Sequence, residues 1–311
     1  METCDSAVRE PLIHTYSIVA RDPETGELGV AVQSHYFSVG SVVTWAEAGV
    51  GAVATQSIAD PAYGKLGLDL MRAGRSAPDA LAGLVASDPM SAARQVGMVD
   101  AYGRAAAHTG KLAIAEAGHI TGDGFCVQAN MMLRPSVWPA MAEAYKSANG
   151  EFVDRLLSAL DAAETKGGDI RGLQSAAILI VASKNTGRSW VDKLYDVRVD
   201  DAPDPLKELR RLVSVARAYI HQRRAQSALE QADRATMERE FETACQLIGD
   251  NPELRFWHAI GLLSVGEIDA GIALLREIAH RDRNWITLAL RLPAPLLKTN
   301  PEVLEKIRQL A

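Results

Sequence analysis

Thr15 opens the run His14-Thr15-Tyr16-Ser17-Ile18-Val19-Ala20-Arg21-Asp22. A threonine at the leading edge of a strand is a residue that can do covalent chemistry. Its hydroxyl attacks a carbonyl when a base takes the proton, and the nearest base is its own α-amine, with an ordinary pKa near ~8. A peptide nitrogen is no base, so this chemistry requires removal of residues 1–14, by self-cleavage or by peptidases. Uncut, Thr15 is simply a first strand residue, where β-branching is favourable.

Two further groups of polar residues stand out. Gln33-Ser34-His35-Tyr36 ends a second apolar run and Thr55-Gln56-Ser57 ends a third. Polar side chains gathered where apolar runs stop line a site at a sheet edge. Ser34 and His35 are neighbours, so on a strand they face opposite ways and do not form a nucleophile–base pair. The other group is Ala107-His108-Thr109-Gly110, with Asp100 across a hairpin, and Gln128-Ala129-Asn130. An Asn amide there can donate to a developing oxyanion. The plainer reading of these residues is a hydrogen-bonded, half-buried histidine and ordinary turn bonding. The spacings of His35, His108, His119, Asp60 and Asp100 match no metal-ligand motif, so neither a metal nor a cofactor is expected.

The elements that must position these residues follow from periodicity and turn chemistry. Short β-branched runs with turns between them predict strands from Thr15 to about Gln56, the first two joined by Pro23-Glu24-Thr25-Gly26. Residues 60–87 read as two helices with Ser76 as an N-cap. Strands return at 95–100 and 105–108, and at 125–128. Helices follow at 136–147 and 152–166, then a strand pair at 175–183 and 190–199. Strand blocks separated by helix pairs predict an α+β layered domain rather than a doubly wound sheet. Residues 1–14 read as a polar N-terminal extension and 15–205 as this domain. The acidic, proline-rich stretch Asp200-Asp201-Ala202-Pro203-Asp204-Pro205 reads as a linker. Residues 206–311 then form an all-α domain in which Trp257, Gly261, Ala270 and Ala273 follow a tetratricopeptide-like pattern.

A chain of 311 residues can bury full cores in two domains. Its net charge of −6 argues against nucleic acid or an anionic membrane as partner. No stretch approaches ~18 apolar residues, so no membrane span is expected, and the N-terminus lacks the apolar run of a secretory signal. Three widely spaced cysteines with no CxxC fit a reducing cytosol. On the stretch 254–263, Leu254, Trp257, Ile260 and Gly261 share a face that one repeat has too few neighbours to cover, which predicts a homodimer.

The runs already quoted, with Gly29-Val30-Ala31-Val32-Gln33-Ser34-His35, Gly49-Val50-Gly51-Ala52-Val53-Ala54-Thr55-Gln56-Ser57, Pro61-Ala62-Tyr63-Gly64, Gln128-Ala129-Asn130-Met131-Met132 and Gly167-Gly168-Asp169-Ile170-Arg171-Gly172-Leu173-Gln174-Ser175-Ala176, carry a resemblance. From about residue 15 to 205 the chain resembles the bacterial domain-of-unknown-function family 1028, grouped with the N-terminal nucleophile hydrolases. The resemblance implies a four-layer αββα sandwich and a hydrolase with Thr15 as nucleophile. Members commonly begin at a Met just before the matching Thr, whereas this chain carries fourteen further residues. Proteasome-type relatives place a lysine near their Thr. The next lysine here, Lys65, lies in a helical region, and His35 is the nearest candidate for that supporting role.

The expected activity is therefore hydrolysis of an amide bond in a small polar amide, ureido or peptide substrate. Thr15 attacks, His35 and Asp60 orient or polarise, and Asn130 with the backbone around Gln56 holds the oxyanion. Gln33, Ser34, Gln56, Tyr63, His108 and Gln174 are the candidate substrate-binding residues. The alternative is a non-catalytic metabolite-binding protein whose helical tail mediates association.

Overall fold

The computed structural model describes residues 12–249, 251–293, 297 and 301–310. Contacts divide it into two units, one running to Arg211 and the other starting at Leu212.

In the first unit the chain runs through β1 (Leu12–Ile13), β2 (Thr15–Arg21), β3 (Leu28–Ser34), β4 (Thr44–Glu47) and β5 (Gly51–Ile58) before its first helices, α1 (Ala62–Arg72) and α2 (Ala77–Ser87). Four strands follow, β6 (Arg94–Asp100), β7 (Ala105–Thr109), β8 (Gly118–Gly122) and β9 (Phe125–Ala129), then α3 (Val137–Ser147) and α4 (Phe152–Thr165). β10 (Ser175–Val181), a helical turn α5 (Ser189–Asp192) and β11 (Lys193–Val199) complete it. All pairings are antiparallel. One sheet runs β1-β5-β6-β7, with β4 also on β5, and the other runs β11-β10-β3-β2-β9-β8.

The two sheets face each other, β2 lying over β5 and β6. Helices α1 and α2 pack on the outer face of the first sheet, and α3 and α4 on that of the second. The buried runs explain the arrangement: β3, β5, β6 and β10 are almost wholly buried, as strands covered on both faces must be. Gly97 on β6 lets the sheets close up, for a Cβ there would come within 2.7 Å of the Cys126 sulfur from the facing sheet. Ser76 caps α2 by accepting from the Asp79 N–H.

Three local expectations change. Residues 12–14 are not a free extension: Leu12 and Ile13 pair with Ile58 and Ser57 on β5, and Ile13 is buried in the core. Residues 1–11 of the expected extension lie outside the described residues. Trp190 stands in the turn α5, and its strand begins only at Lys193. The region 118–130 holds a hairpin, β8 and β9, rather than one strand.

The second unit is all helical. α6 (Pro205–Glu230) begins at the proline-rich stretch and runs across the division, followed by α7 (Arg234–Ile248), α8 (Pro252–Ser264), α9 (Ile268–Ala279), α10 (Asn284–Arg291) and α11 (Pro301–Arg308). Asn251 caps α8 by accepting from the Glu253 and Leu254 N–H groups. Around α8, Leu254, Phe256, Ile260, Leu262 and Leu263 are buried by neighbouring helices of the same unit. Of the face that predicted a homodimer, Leu254, Ile260 and Gly261 are buried and Trp257 is half-buried. Among the described residues, no helix is long and apolar enough to cross a membrane.

Candidate active site

Strand alternation orients the site. On β2, Tyr16 reaches outward, its hydroxyl donating to Glu164 of α4 at 2.6 Å, and Ser17 reaches inward to Gln56 of the facing sheet at 2.7 Å. Thr15, two residues before Ser17, faces inward too. It is fully buried, and its Oγ1 has no hydrogen-bond partner.

The chain changes sheets at His14, between Ile13 on β5 and Thr15 opposite Ser34 on β3. The carbonyl that joins His14 to Thr15 is held by two donors, the Ser34 hydroxyl at 2.6 Å and an Arg171 Nη2 at 2.8 Å. Arg171 is fixed by Asp169, which accepts from its Nε at 3.0 Å and its Nη2 at 2.7 Å. Asp169, itself buried, also accepts from the Arg171 and His35 backbone N–H groups. The next carbonyl, that of Thr15, accepts from the Gln56 amide at 3.0 Å and the Asn130 N–H at 3.0 Å.

Behind these lies a chain of buried amides whose orientation can be read. The Gln95 Nε2 donates to the carbonyls of Ala129 and Gly118, at 2.9 and 3.2 Å. Its Oε1 therefore accepts from Gln56 at 2.8 Å and from Asn130 Nδ2 at 2.9 Å. That turns the Asn130 Oδ1 towards His14, whose Nδ1 lies 2.8 Å away. An oxygen accepts, so the imidazole carries its proton on Nδ1. Burial, the largest cause, and the Arg171 charge lower the His14 pKa, against the Asn130 hydrogen bond and Asp169, which raise it. The backbone is strained at both sides of the site: Ser57 at the end of β5 and Met131 just past Asn130 hold φ of 73° and 58°, conformations that cost non-glycine residues about 1–3 kcal/mol.

Of the expected residues, Thr15, Ser34, Gln56 and Asn130 converge here. The Asn130 amide nitrogen is committed to Gln95 and, at 3.5 Å, to the Thr15 carbonyl, so the donors on the preceding carbonyl are Ser34 and Arg171 instead. The other six stand apart. His35 is exposed, with Nδ1 3.2 Å from the Leu173 carbonyl. Gln33 faces the outer side of β3, across from Tyr16, and its buried amide has no partner. Asp60 caps the Ala62 N–H and lies 4.0 Å from Arg94. Tyr63 bonds Asp88, which pairs with the buried Arg94. His108 bonds the Ser91 carbonyl, and Gln174 bonds Asp201 at the surface.

His14, Arg171 and Asp169 were not singled out as site residues. The signal that could have found the last two is the acid–x–base spacing after Gly167-Gly168. Among the described residues no His, Cys, Asp and Glu group is arranged to hold a metal ion, and Cys126 is a buried thiol outside any disulfide.

The first unit is thus a pair of facing antiparallel sheets with a buried, unpartnered threonine between them and its preceding carbonyl doubly held. The chain belongs to the family of unknown function DUF1028, whose model matches residues 15–209. The crystal structure of protein SPO2555 from Silicibacter pomeroyi, assigned to the same family, is similar at 33% identity. It covers 64% of this chain and 88% of its own, with a TM-score of 0.58. No curated protein matches.

Proposed function

We propose that the chain is an amide-bond hydrolase of the N-terminal nucleophile type, with Thr15 as nucleophile. The observation that supports it is the unpartnered Thr15 Oγ1 beside a carbonyl held by Ser34 and Arg171. Two donors on a carbonyl oxygen stabilise the charge that develops there on attack. Attack on the His14 carbonyl closes a five-membered ring and is intramolecular, which raises the effective concentration of the hydroxyl. The Thr15 Oγ–carbon bond forms, and the hydroxyl proton passes to the departing nitrogen as the carbon–nitrogen bond breaks, so that nitrogen becomes the free amine only in this step. Water then hydrolyses the ester, leaving a His14 carboxylate and an N-terminal Thr15.

In turnover that amine takes the Thr15 hydroxyl proton as Oγ attacks the substrate carbonyl. It returns the proton to the leaving amine, and water cleaves the acyl-enzyme. Burial and the neighbouring guanidinium of Arg171 favour the neutral amine, the form that acts as base. The substrate is a small polar amide, ureido compound or peptide. The helices of the second unit are read as a tetratricopeptide-like tail.

A second reading, a non-catalytic metabolite-binding protein, draws on the complete burial of Thr15. Turnover of a panel of small amides and peptides separates the two. Thr15→Ala abolishes hydrolysis and Thr15→Ser retains part of it on the first reading. No turnover by either favours the second, and equal turnover by wild type and Thr15→Ala rules Thr15 out as the nucleophile.

A further inference from the structure

The three residues ahead of Thr15 lie as the acyl half of a bound peptide. Leu12 and Ile13 run antiparallel along β5 opposite Ile58 and Ser57. They occupy the part of that edge beyond β4, which pairs only with residues 51–54. His14 places its carbonyl on Ser34 and Arg171 and its imidazole N–H on the Asn130 Oδ1. When these residues leave, an unpaired strand edge, a carbonyl cradle and a single buried acceptor remain in register. Backbone pairing on an open edge supplies affinity, and the pocket beside it supplies selectivity.

We propose that the site takes peptides seated as Leu12–Ile13 and His14 are, extended along β5 at Ser57 and Ile58. A histidine, or another short side chain with a neutral N–H donor, occupies the acyl side of the scissile bond against Asn130. The inference rests on Thr15 being the nucleophile. An aliphatic residue in that position leaves the buried Asn130 oxygen unpaired, a penalty that falls on the wrong substrate. A cationic lysine meets the Arg171 charge. A peptide product that ends in histidine would set its carboxylate on Ser34 and Arg171.

The test uses the full chain and two readouts. The first is release of Thr15, followed by intact mass in wild type, His14→Leu and His14→Asn, with thermal melts to confirm that each folds. Release at least tenfold slower in His14→Leu, restored towards wild type in His14→Asn, is the expected result. The second readout is hydrolysis by the released protein of acetyl-Leu-Ile-His-amide, acetyl-Leu-Ile-Leu-amide and acetyl-histidinamide. The first is expected to exceed each of the others at least tenfold in kcat/KM. Release at equal rates from folded His14→Leu and wild type, a wild-type chain that never releases Thr15, or turnover without preference overturns the proposal. The reading of Thr15 is judged separately, by whether Thr15→Ala abolishes whatever amide turnover is seen. If the released protein cleaves nothing, that reading falls, and calorimetry decides the pocket: acetyl-Leu-Ile-His must bind at least tenfold tighter than acetyl-Leu-Ile-Leu, and equal binding overturns it.

Discussion

The Thr15 hydroxyl is buried without a partner while the carbonyls on either side of it each have at least two donors. That contrast makes Ser34 a sharp probe. Ser34→Ala removes one donor from the His14 carbonyl and leaves the Arg171–Asp169 pair intact. Loss of one such donor typically slows acyl transfer by about 10²–10³-fold, so release of Thr15 followed by intact mass should slow by that order with little change in melting temperature. His14 gives a second, pH-dependent probe. Its pKa lies below the ordinary 6.5 in the folded chain, mainly through burial. As pH falls below 6.5, the unfolded chain takes up a proton that the folded chain refuses, so stability falls with pH. In a Thr15→Ala background, which keeps His14 in place, the melting temperature should drop more steeply from pH 7 to 5 than in the same background with His14→Asn. His119 and His258 shift in the same direction through burial, and the paired comparison removes their contribution. Parallel curves would show that His14 is not held as described.

At the scale of elements, β1 decides whether residues ahead of Thr15 belong to the fold. Ile13→Ala in the uncut Thr15→Ala chain should cost about 2–5 kcal/mol in denaturant melts, as buried Ile truncations do. A loss near zero would mean that β1 is not seated on β5. Most elements were legible beforehand because their signals are local: β-branched runs for β2, β3 and β5 and an N-cap at Ser76. β1 was not, because two residues carry no periodicity and their placement depends on an edge of β5 left open by β4. Trp190 was misassigned because α5 is one turn, too short for a helical period. The site was legible in part for the same reason. Thr15 opens an apolar run and Ser34, Gln56 and Asn130 stand where such runs stop, which sequence reveals, whereas Arg171 reaches the His14 carbonyl from 157 residues away through a loop fixed by Asp169.

For the whole molecule, the family match ends at residue 209, close to the division between units after Arg211. Thr15, Ser34, Gln56, Asn130, Asp169 and Arg171 fall inside the matched range, whereas His14, whose carbonyl they surround, precedes it. The central claim is that Thr15 is a nucleophile set against the carbonyl before it. Intact mass of the purified full chain beside Thr15→Ala tests it most directly. The expected result is a wild-type chain that begins at Thr15 and a folded Thr15→Ala chain that keeps His14. A wild-type chain that stays joined at His14–Thr15, or a Thr15→Ala chain cut at the same bond, would contradict it.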